Sequence, residues 1–223
     1  MPPLYPVIAI DGPAASGKST VARALAAHFS IPYVNTGTMY RAIAWLALEK
    51  GIDPADQAAV ENLLDETDLT CSIENGMGLL RLNGEDPEEH LRTEKVNKSV
   101  SLVAAIPAVR KALVELQQGL GFMSPLVMEG RDIGSVVFPD SPFKLYIDAS
   151  PEVRAQRRQA EGQTDPITQR DQMDSSRKDS PLTIAPDAHI IDSSHLSAEE
   201  VVQQAMEHLQ SLQFAQTLKD SNC

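Results

Sequence analysis

Cysteine and aromatic residues are scarce in this 223-residue chain, which has two cysteines and only 4% aromatic residues. Cys71 and Cys223 supply neither a disulfide framework nor the spacing of a metal site, so a cross-linked secreted protein is disfavoured. No apolar run approaches the roughly 20 residues of a membrane span. The first six residues also lack the basic stretch and long apolar stretch of a secretory signal. We therefore expect a cytoplasmic protein without a membrane segment.

Basic residues are outnumbered, with 19 Lys and Arg against 31 Asp and Glu, and the net charge is −12. Proteins that bind long nucleic acids usually present a basic face, because neutralising phosphates supplies much of their affinity. The composition therefore argues against such a partner. It leaves room for a small phosphorylated ligand, since a few basic side chains can converge in one cleft. A monomer is the default expectation.

Strand and helix patterns alternate along the chain, which predicts an α/β fold with a mainly parallel sheet. Short, β-branched apolar runs typical of buried strands occur at residues 7–10, 33–34, 126–128, 143–147 and 188–191. Helical spacing of apolar residues lies between them, as in the run from Lys18 through Val21 and Leu25. The prediction is one domain over residues 1–223, built on a doubly wound, five-stranded parallel sheet.

The stretch 69–82 departs from this alternation. Two short strand-like runs flank the turn Glu74-Asn75-Gly76, a pattern that indicates an antiparallel hairpin. In a protein with a parallel sheet, such a hairpin is an insertion. We predict that residues 67–93 form a small antiparallel insertion lobe.

A phosphate-binding loop follows the first predicted strand. Gly12, Gly17, Lys18 and Ser19 match the pattern G-x-x-x-x-G-K-[ST], between a buried strand and an amphipathic helix. The glycines allow close approach of the backbone, whose amides then point at a phosphate. Lys18 adds positive charge near the β and γ phosphates, and the Ser19 hydroxyl suits Mg²⁺. The loop predicts a nucleoside triphosphate ligand but does not separate kinases, GTPases and motor ATPases.

Arginine and aspartate side chains occur where further parallel strands end, which is where ligands bind in such sheets. Arg41 lies one turn into the helix after the second strand, and Arg131-Asp132 stands between glycines after the strand at 126–128. This pair suits a phosphate fork beside a hydrogen-bond acceptor. Arg170, Asp174 and Arg177 follow at i, i+4 and i+7, on one face of a predicted helix, a spacing that a salt-bridged surface stripe would share.

Taken together, these segments resemble bacterial-type cytidylate kinases, and they occur in that family's order over nearly the whole chain. The matching segments are Asp11-Gly12-Pro13 with the phosphate loop, Thr36-Gly37 through Tyr40-Arg41, residues 103–110, Gly130-Arg131-Asp132-Ile133-Gly134 with Val137-Phe138-Pro139, and Arg170-Asp171 through Ser180-Pro181-Leu182. The resemblance implies a kinase that transfers the γ-phosphoryl group of ATP, with Mg²⁺, to CMP and dCMP.

The resemblance also implies roles for individual residues. The cytosine ring would be read by Thr36, Ser101, Arg110 and Asp132; the acceptor phosphate would be held by Arg41 and Arg131; the ribose by Arg170 and Asp174, with Arg177 nearby. ATP would be bound by Gly12, Pro13, Ala14, Ala15, Ser16, Gly17, Lys18, Ser19, Thr20 and Arg157, with Ser19 on the metal. Lys18, Arg41, Arg131 and Arg170 are the predicted catalytic residues. Glu129, at a strand end beside the cleft, is a candidate to hold a Mg²⁺-bound water.

Kinases exclude water from the reacting phosphates, so a closing lid is expected. Residues 151–177 are the candidate, and they depart from the family: only Gln159 to Gln169 separate Arg158 from Arg170, where relatives carry a longer, two-helix lid. The sequence thus predicts a short lid. Two rivals remain: a P-loop kinase for shikimate or dephospho-coenzyme A, and a nucleotide-binding regulator without activity. A GTPase switch is disfavoured, because no N-K-x-D motif is evident.

Overall fold

The computed structural model describes residues 5–160, 167–177 and 181–221, without the side chains of residues 167–170. Its secondary structure alternates between strands and helices, as predicted. Within the described residues, no helix combines the length and apolar character that crossing a membrane demands.

The strands of the described residues form a single seven-stranded sheet. Its strands are β1 (Val7–Asp11), β2 (Tyr33–Asn35), β3 (Leu69–Glu74), β4 (Met77–Leu82), β5 (Leu126–Glu129), β6 (Lys144–Asp148) and β7 (His189–Asp192), in the order β3-β4-β2-β5-β1-β6-β7. Every neighbouring pair is parallel except β3 with β4. The β1 strand is buried throughout, as its continuous apolar run predicts.

Helices cover both faces of the sheet. They are α1 (Lys18–Phe29), α2 (Thr36–Glu49), α3 (Gln57–Asp65), α4 (Glu94–Val103), α5 (Pro107–Gly121), α6 (Pro151–Ala160), α7 (Ile167–Ser175), α8 (Ala198–Ser211) and α9 (Phe214–Asp220). One core cluster packs α2, α4 and α5 against the sheet, and the other packs α1 and α8. Alternate residues of β1 serve the two cores: Val7 and Ala9 face the first, Ile8 and Ile10 the second.

All five predicted strands are present, but the predicted strand count was too low. The hairpin of β3 and β4 continues the main sheet, because β4 pairs in parallel with β2 through Tyr33 and Met77. Tyr33 also donates its backbone N–H to the Gly76 carbonyl at 2.9 Å. This pairing joins segments more than 40 residues apart, which local sequence patterns do not reveal.

The carboxyl ends of the parallel strands lie at one end of the sheet. The loop after β1, the start of α2 after β2, and the loop after β5 meet there. This carboxyl end is where doubly wound sheets bind their ligands, and it carries the predicted site residues.

Candidate active site

The loop between β1 and α1 has the backbone of a phosphate cradle. A Cβ on Gly12 would lie 2.0 Å from the Ile147 carbonyl oxygen, so only glycine fits there. Gly17 is the N-cap of α1 with a left-handed φ of 94°, and Ala15 also adopts a left-handed φ, of 59°. That conformation is uncommon for a residue with a β-carbon and shows that the loop shape is imposed by its surroundings. The helix amides are thereby presented to an anion.

Lys18 is held across this loop. Its Nζ donates to the Pro13 carbonyl at 2.6 Å, and the side chain is buried. The Ser16 hydroxyl, also fully buried in the loop, has no hydrogen-bond partner among the described residues. A buried polar group of this kind needs a partner, and a phosphate oxygen in the loop would provide one.

Across the cleft, Arg110 and Asp132 form a buried ion pair, each about 4% exposed. The Arg110 guanidinium also lies over the Tyr40 ring, 5.5 Å from its centroid. Two flat, directional groups are therefore fixed side by side, a carboxylate that accepts hydrogen bonds and a guanidinium that donates them.

Thr36 lies next to this pair. Its hydroxyl donates to the Glu129 carbonyl at 2.9 Å. The contact depends on Gly130, where a Cβ would lie 2.7 Å from the Thr36 oxygen and 2.6 Å from Ile133 Cδ1. The start of α2 and the end of β5 can approach this closely only because residue 130 has no side chain.

Asp174 lies among polar partners in a nearly solvent-free position. Its carboxylate accepts from Arg131 Nε at 2.9 Å, pairs with Arg177, and lies 3.3 Å from the Ser101 hydroxyl. Asp174 is 2% exposed. The structure thus brings together the predicted ribose carboxylate and the predicted phosphate arginine, although 43 residues separate them.

Arg41 completes a concentration of positive charge. It donates to the Gly37 carbonyl at 2.9 Å and lies within 3.3 Å of the Asn97 side-chain oxygen. Burial, followed by the charges of Arg131 and Arg158, lowers the pKa of Arg41 to about 10. Neighbouring arginines repel one another, and an anion bound among them would relieve that repulsion. The guanidinium remains protonated at neutral pH.

Helix α6 lies against the phosphate loop. Arg157 donates to the Ser193 carbonyl at 2.8 Å and the Ser193 hydroxyl at 2.9 Å, and lies 3.4 Å from the Ala15 carbonyl. Arg154 reaches the Ala14 carbonyl at 3.4 Å and forms an ion pair with Asp171 at 2.5 Å. The predicted ATP-binding Arg157 therefore lies beside the loop.

Sequence reasoning missed several neighbours of these residues. Tyr33 donates its hydroxyl to the buried Glu129 carboxylate, and the Asn35 amide lies 3.3 Å from that hydroxyl. Burial, followed by the Glu129 charge, raises the pKa of Tyr33 well above its usual value. Ser193 and the carboxylate of Asp11 were missed too. The Tyr33–Glu129, Ser193 and Asp11 contacts do not follow from a motif, because each joins segments that are distant in the sequence.

Part of the predicted ribose-binding group, Arg170 with Asp174 and the nearby Arg177, lies outside the described residues. Arg170 lies in α7, but its side chain is not described. The prediction that Arg170, Asp174 and Arg177 share one helix face was wrong for Arg177, because α7 ends at Ser175. Arg177 still returns to Asp174 through the loop that follows the helix.

These groups line one cleft of about 870 Å³, towards the upper end of the range of about 300–1,000 Å³ for ligand sites. Its lining includes Lys18, Ser19, Arg41, Arg131, Asp132 and Asp174. A phosphate cradle that faces arginines and a polar recognition group across such a cleft is the site of a P-loop phosphotransferase.

Similarity to known proteins identifies the family within that class. A family model described as cytidylate kinase matches residues 8–211. The chain is 46% identical over 211 residues to a cytidylate kinase of Pelotomaculum thermopropionicum, covering 89% of this chain and 93% of that one. It is 43% identical over 213 residues to a cytidylate kinase of Mycobacterium leprae, covering 90% and 94%. The chain belongs to the cytidylate kinase family.

A longer kind of relative also matches. A bifunctional pantoate ligase/cytidylate kinase of a Synechococcus strain is 47% identical over 216 residues, which cover 90% of this chain and 40% of that protein.

Proposed function

We propose that this chain catalyses the ATP- and Mg²⁺-dependent phosphorylation of CMP, and of dCMP, to the diphosphate. The observation that carries the proposal is the shared cleft in which the phosphate loop faces the Arg110–Asp132 pair. Membership of the cytidylate kinase family supports the choice of acceptor.

The acceptor side suits a cytosine nucleotide. Cytosine offers an exocyclic amine that donates and a ring carbonyl that accepts. Asp132 matches the amine and Arg110 the carbonyl, while Thr36 and Ser101 add short hydroxyls at the same end of the cleft. Uracil has a carbonyl in place of the amine, so it would set two acceptors against each other at Asp132. Arg41 and Arg131 then hold the acceptor phosphate.

The reaction asks the protein mainly to bring two polyanions together. The attacking phosphate oxygen of CMP is already ionised near neutral pH, so no general base is required. Lys18, Arg41 and Arg131 offset the repulsion between the phosphates and stabilise the charge that spreads over the transferring group. The predicted role of Arg170 at the same point rests on the resemblance alone.

The residues beside the phosphate loop fit a Mg²⁺ ion. Among the described residues no group of three or more His, Cys, Asp or Glu forms a metal cage, and Mg²⁺ in nucleotide sites is held largely by phosphate oxygens and water. The Ser19 hydroxyl would be the protein ligand, and Glu129, which also lines the cleft, would orient a bound water. When bound, the ion neutralises phosphate charge.

Further predictions concern the rest of the chain. Residues 67–93 act as the nucleoside monophosphate lobe, and residues 151–177 act as a short lid over ATP. The protein works as a cytoplasmic monomer. These assignments rest on composition and on the family resemblance.

The decisive experiment is ADP release coupled to a spectroscopic readout, with CMP, dCMP, UMP, AMP, shikimate and dephospho-coenzyme A as acceptors. We expect kcat/KM to be highest for CMP, followed by dCMP. A preference for shikimate or dephospho-coenzyme A would replace the acceptor assignment. Tight ATP binding with no ADP formed from any acceptor would indicate a regulator instead.

A further inference from the structure

The carboxylate of Asp11 joins the phosphate loop to the acceptor loop. Asp11 is the last residue of β1, directly before Gly12. Its Oδ1 accepts from the Ile133 amide at 2.8 Å and its Oδ2 from the Gly134 amide at 2.7 Å. The two residues that donate begin a π-helical turn (Ile133–Val137), and they follow Arg131 and Asp132 immediately. Such turns are frequent at functional sites.

A second contact holds the other end of the same loop. The Gly130 amide donates to the Ile10 carbonyl at 2.9 Å. Arg131 and Asp132 therefore lie between two attachments to the end of β1, which are the Ile10 carbonyl before them and the Asp11 carboxylate after them. The chain between the attachments is too short to move the two side chains far while both hold.

The Asp11 carboxyl group is also buried in a position that disfavours its charged form. The residue is 4% exposed, and burial raises the pKa of its carboxyl to about 7 in spite of the two amide donors. The charge of Asp132 acts in the same direction, and Lys18 acts against it. A carboxylate buried in this position costs free energy, and Asp11 is not among the residues that line the cleft.

We propose that Asp11 is a positioning residue for the acceptor nucleotide, because its carboxylate sets the place of Arg131 and Asp132 relative to the phosphate loop. The inference rests on the proposed phosphorylation of CMP. In this arrangement the strand that leads into the donor site also fixes the reach of the acceptor site. A change at Asp11 should therefore act on CMP through two residues that it does not replace.

The test is Asp11→Asn, which keeps the shape but turns one acceptor into a donor that faces an amide. We expect the KM for CMP to rise at least about tenfold, since small displacements of binding groups have effects of this size or larger. The KM for ATP should stay within about twofold, and the preference for CMP over UMP should fall. Equal rises in both KM values, or no rise for CMP, would overturn the proposal.

Asp148→Asn is the matched control. Asp148 ends the neighbouring strand β6. Among the described contacts, its carboxylate accepts a hydrogen bond only from the adjacent Ala149 amide, at 2.8 Å. The KM for CMP should not change in this variant. An increase as large as that of Asp11→Asn would show that any strand-end carboxylate has the same effect, and would count against Asp11.

Two further measurements guard against a variant that does not fold. Hydrogen–deuterium exchange of residues 130–137 should be slow in the wild-type protein and faster in Asp11→Asn, and unchanged exchange would refute the contact.

Gly134→Ala perturbs the residue that donates to Asp11. Its added methyl would lie 3.4 Å from the Asp11 oxygen and 3.1 Å from Lys144 Cδ. It should raise the KM for CMP selectively, and an equal rise for ATP would contradict the proposal. If the wild-type protein does not phosphorylate CMP, the proposed function fails, and exchange still decides whether Asp11 holds the loop.

Discussion

Arg131 donates to Asp174 at 2.9 Å across the cleft and so ties the loop after β5 to α7. Arg177 pairs with the same carboxylate. Two arginines and a carboxylate with predicted substrate roles thus satisfy one another. These contacts explain how strongly charged groups remain buried at this point of the cleft.

Removing Asp174 should therefore affect both stability and substrate binding. Asp174→Ala leaves Arg131 and Arg177 buried without their carboxylate, and the loss of one partner of a buried pair costs about 3–5 kcal/mol. We expect a lower free energy of unfolding in urea and a higher KM for CMP. Glu94→Ala is the control, because it breaks the exposed Glu94–Lys98 pair, worth at most about 1 kcal/mol. Similar losses in the two variants would contradict the role assigned to Asp174.

Lys18→Ala should lower kcat by about 10² to 10³, the usual effect of losing one preorganised group at developing charge. The fold should survive, as judged by circular dichroism, because the helix and strand around the loop are held by their own cores. Lys111→Ala, on the exposed side of α5, controls for the loss of any lysine. Near-normal turnover of Lys18→Ala would refute the assigned donor site.

Asp132→Ala should weaken CMP much more than ATP, because it removes the acceptor for the cytosine amine and leaves Arg110 unpaired. The ratio of kcat/KM for CMP to that for UMP should fall towards one. The measurement is steady-state kinetics with each nucleotide varied in turn. If CMP and ATP weaken by the same factor, Asp132 does not recognise the base.

Glu129→Gln tests the metal assignment. Neutralising this carboxylate should raise the Mg²⁺ concentration needed for half-maximal activity, since a neutral amide orients a metal-bound water less strongly. Tyr33→Phe, which removes the hydroxyl that donates to Glu129, should shift the same midpoint in the same direction by a smaller amount. An unchanged midpoint in Glu129→Gln would leave the carboxylate without a part in metal binding.

The pKa of Asp11 also predicts how stability depends on pH. The folded value of about 7 lies above the ordinary value of 3.8, so between these values the folded protein keeps a proton that the unfolded chain has lost. Its contribution is then greatest below pH 4 and is lost as the pH rises through 7. The advantage of wild type over Asp11→Asn in unfolding free energy should shrink over that range. Parallel stability curves for the two proteins would contradict the shifted pKa.

Much of the scaffold could be predicted because its signals are local. The continuous apolar run of β1 marks a buried strand, and the glycine spacing that follows marks the phosphate loop. Helix ends follow the same logic: Pro107 begins α5, and Ser197 forms a capping box with Glu200 at the start of α8. These features depend on a few neighbouring residues, and the sequence specifies them directly.

The side-chain contacts within the site could not be predicted in the same way. The Asp11 contact spans 122 residues, the Tyr33–Glu129 bond 96, and the Arg131–Asp174 pair 43. Each depends on which strands become neighbours, and that is decided by packing across the whole sheet. Sequence patterns indicated which residues are polar at strand ends, whereas the fold determines which of them touch.

The attachment of the hairpin has a mechanical consequence. β4 meets β2 through one residue pair, Tyr33 with Met77, whereas β1 and β5 share four pairs. Few backbone hydrogen bonds therefore join the hairpin to the rest of the sheet, and its position depends largely on Leu80 and Leu82, which are buried in the same core as α2 and α5. A substitution that weakens this packing would loosen the hairpin before it disturbed the contact of β1 with β5 behind the phosphate loop.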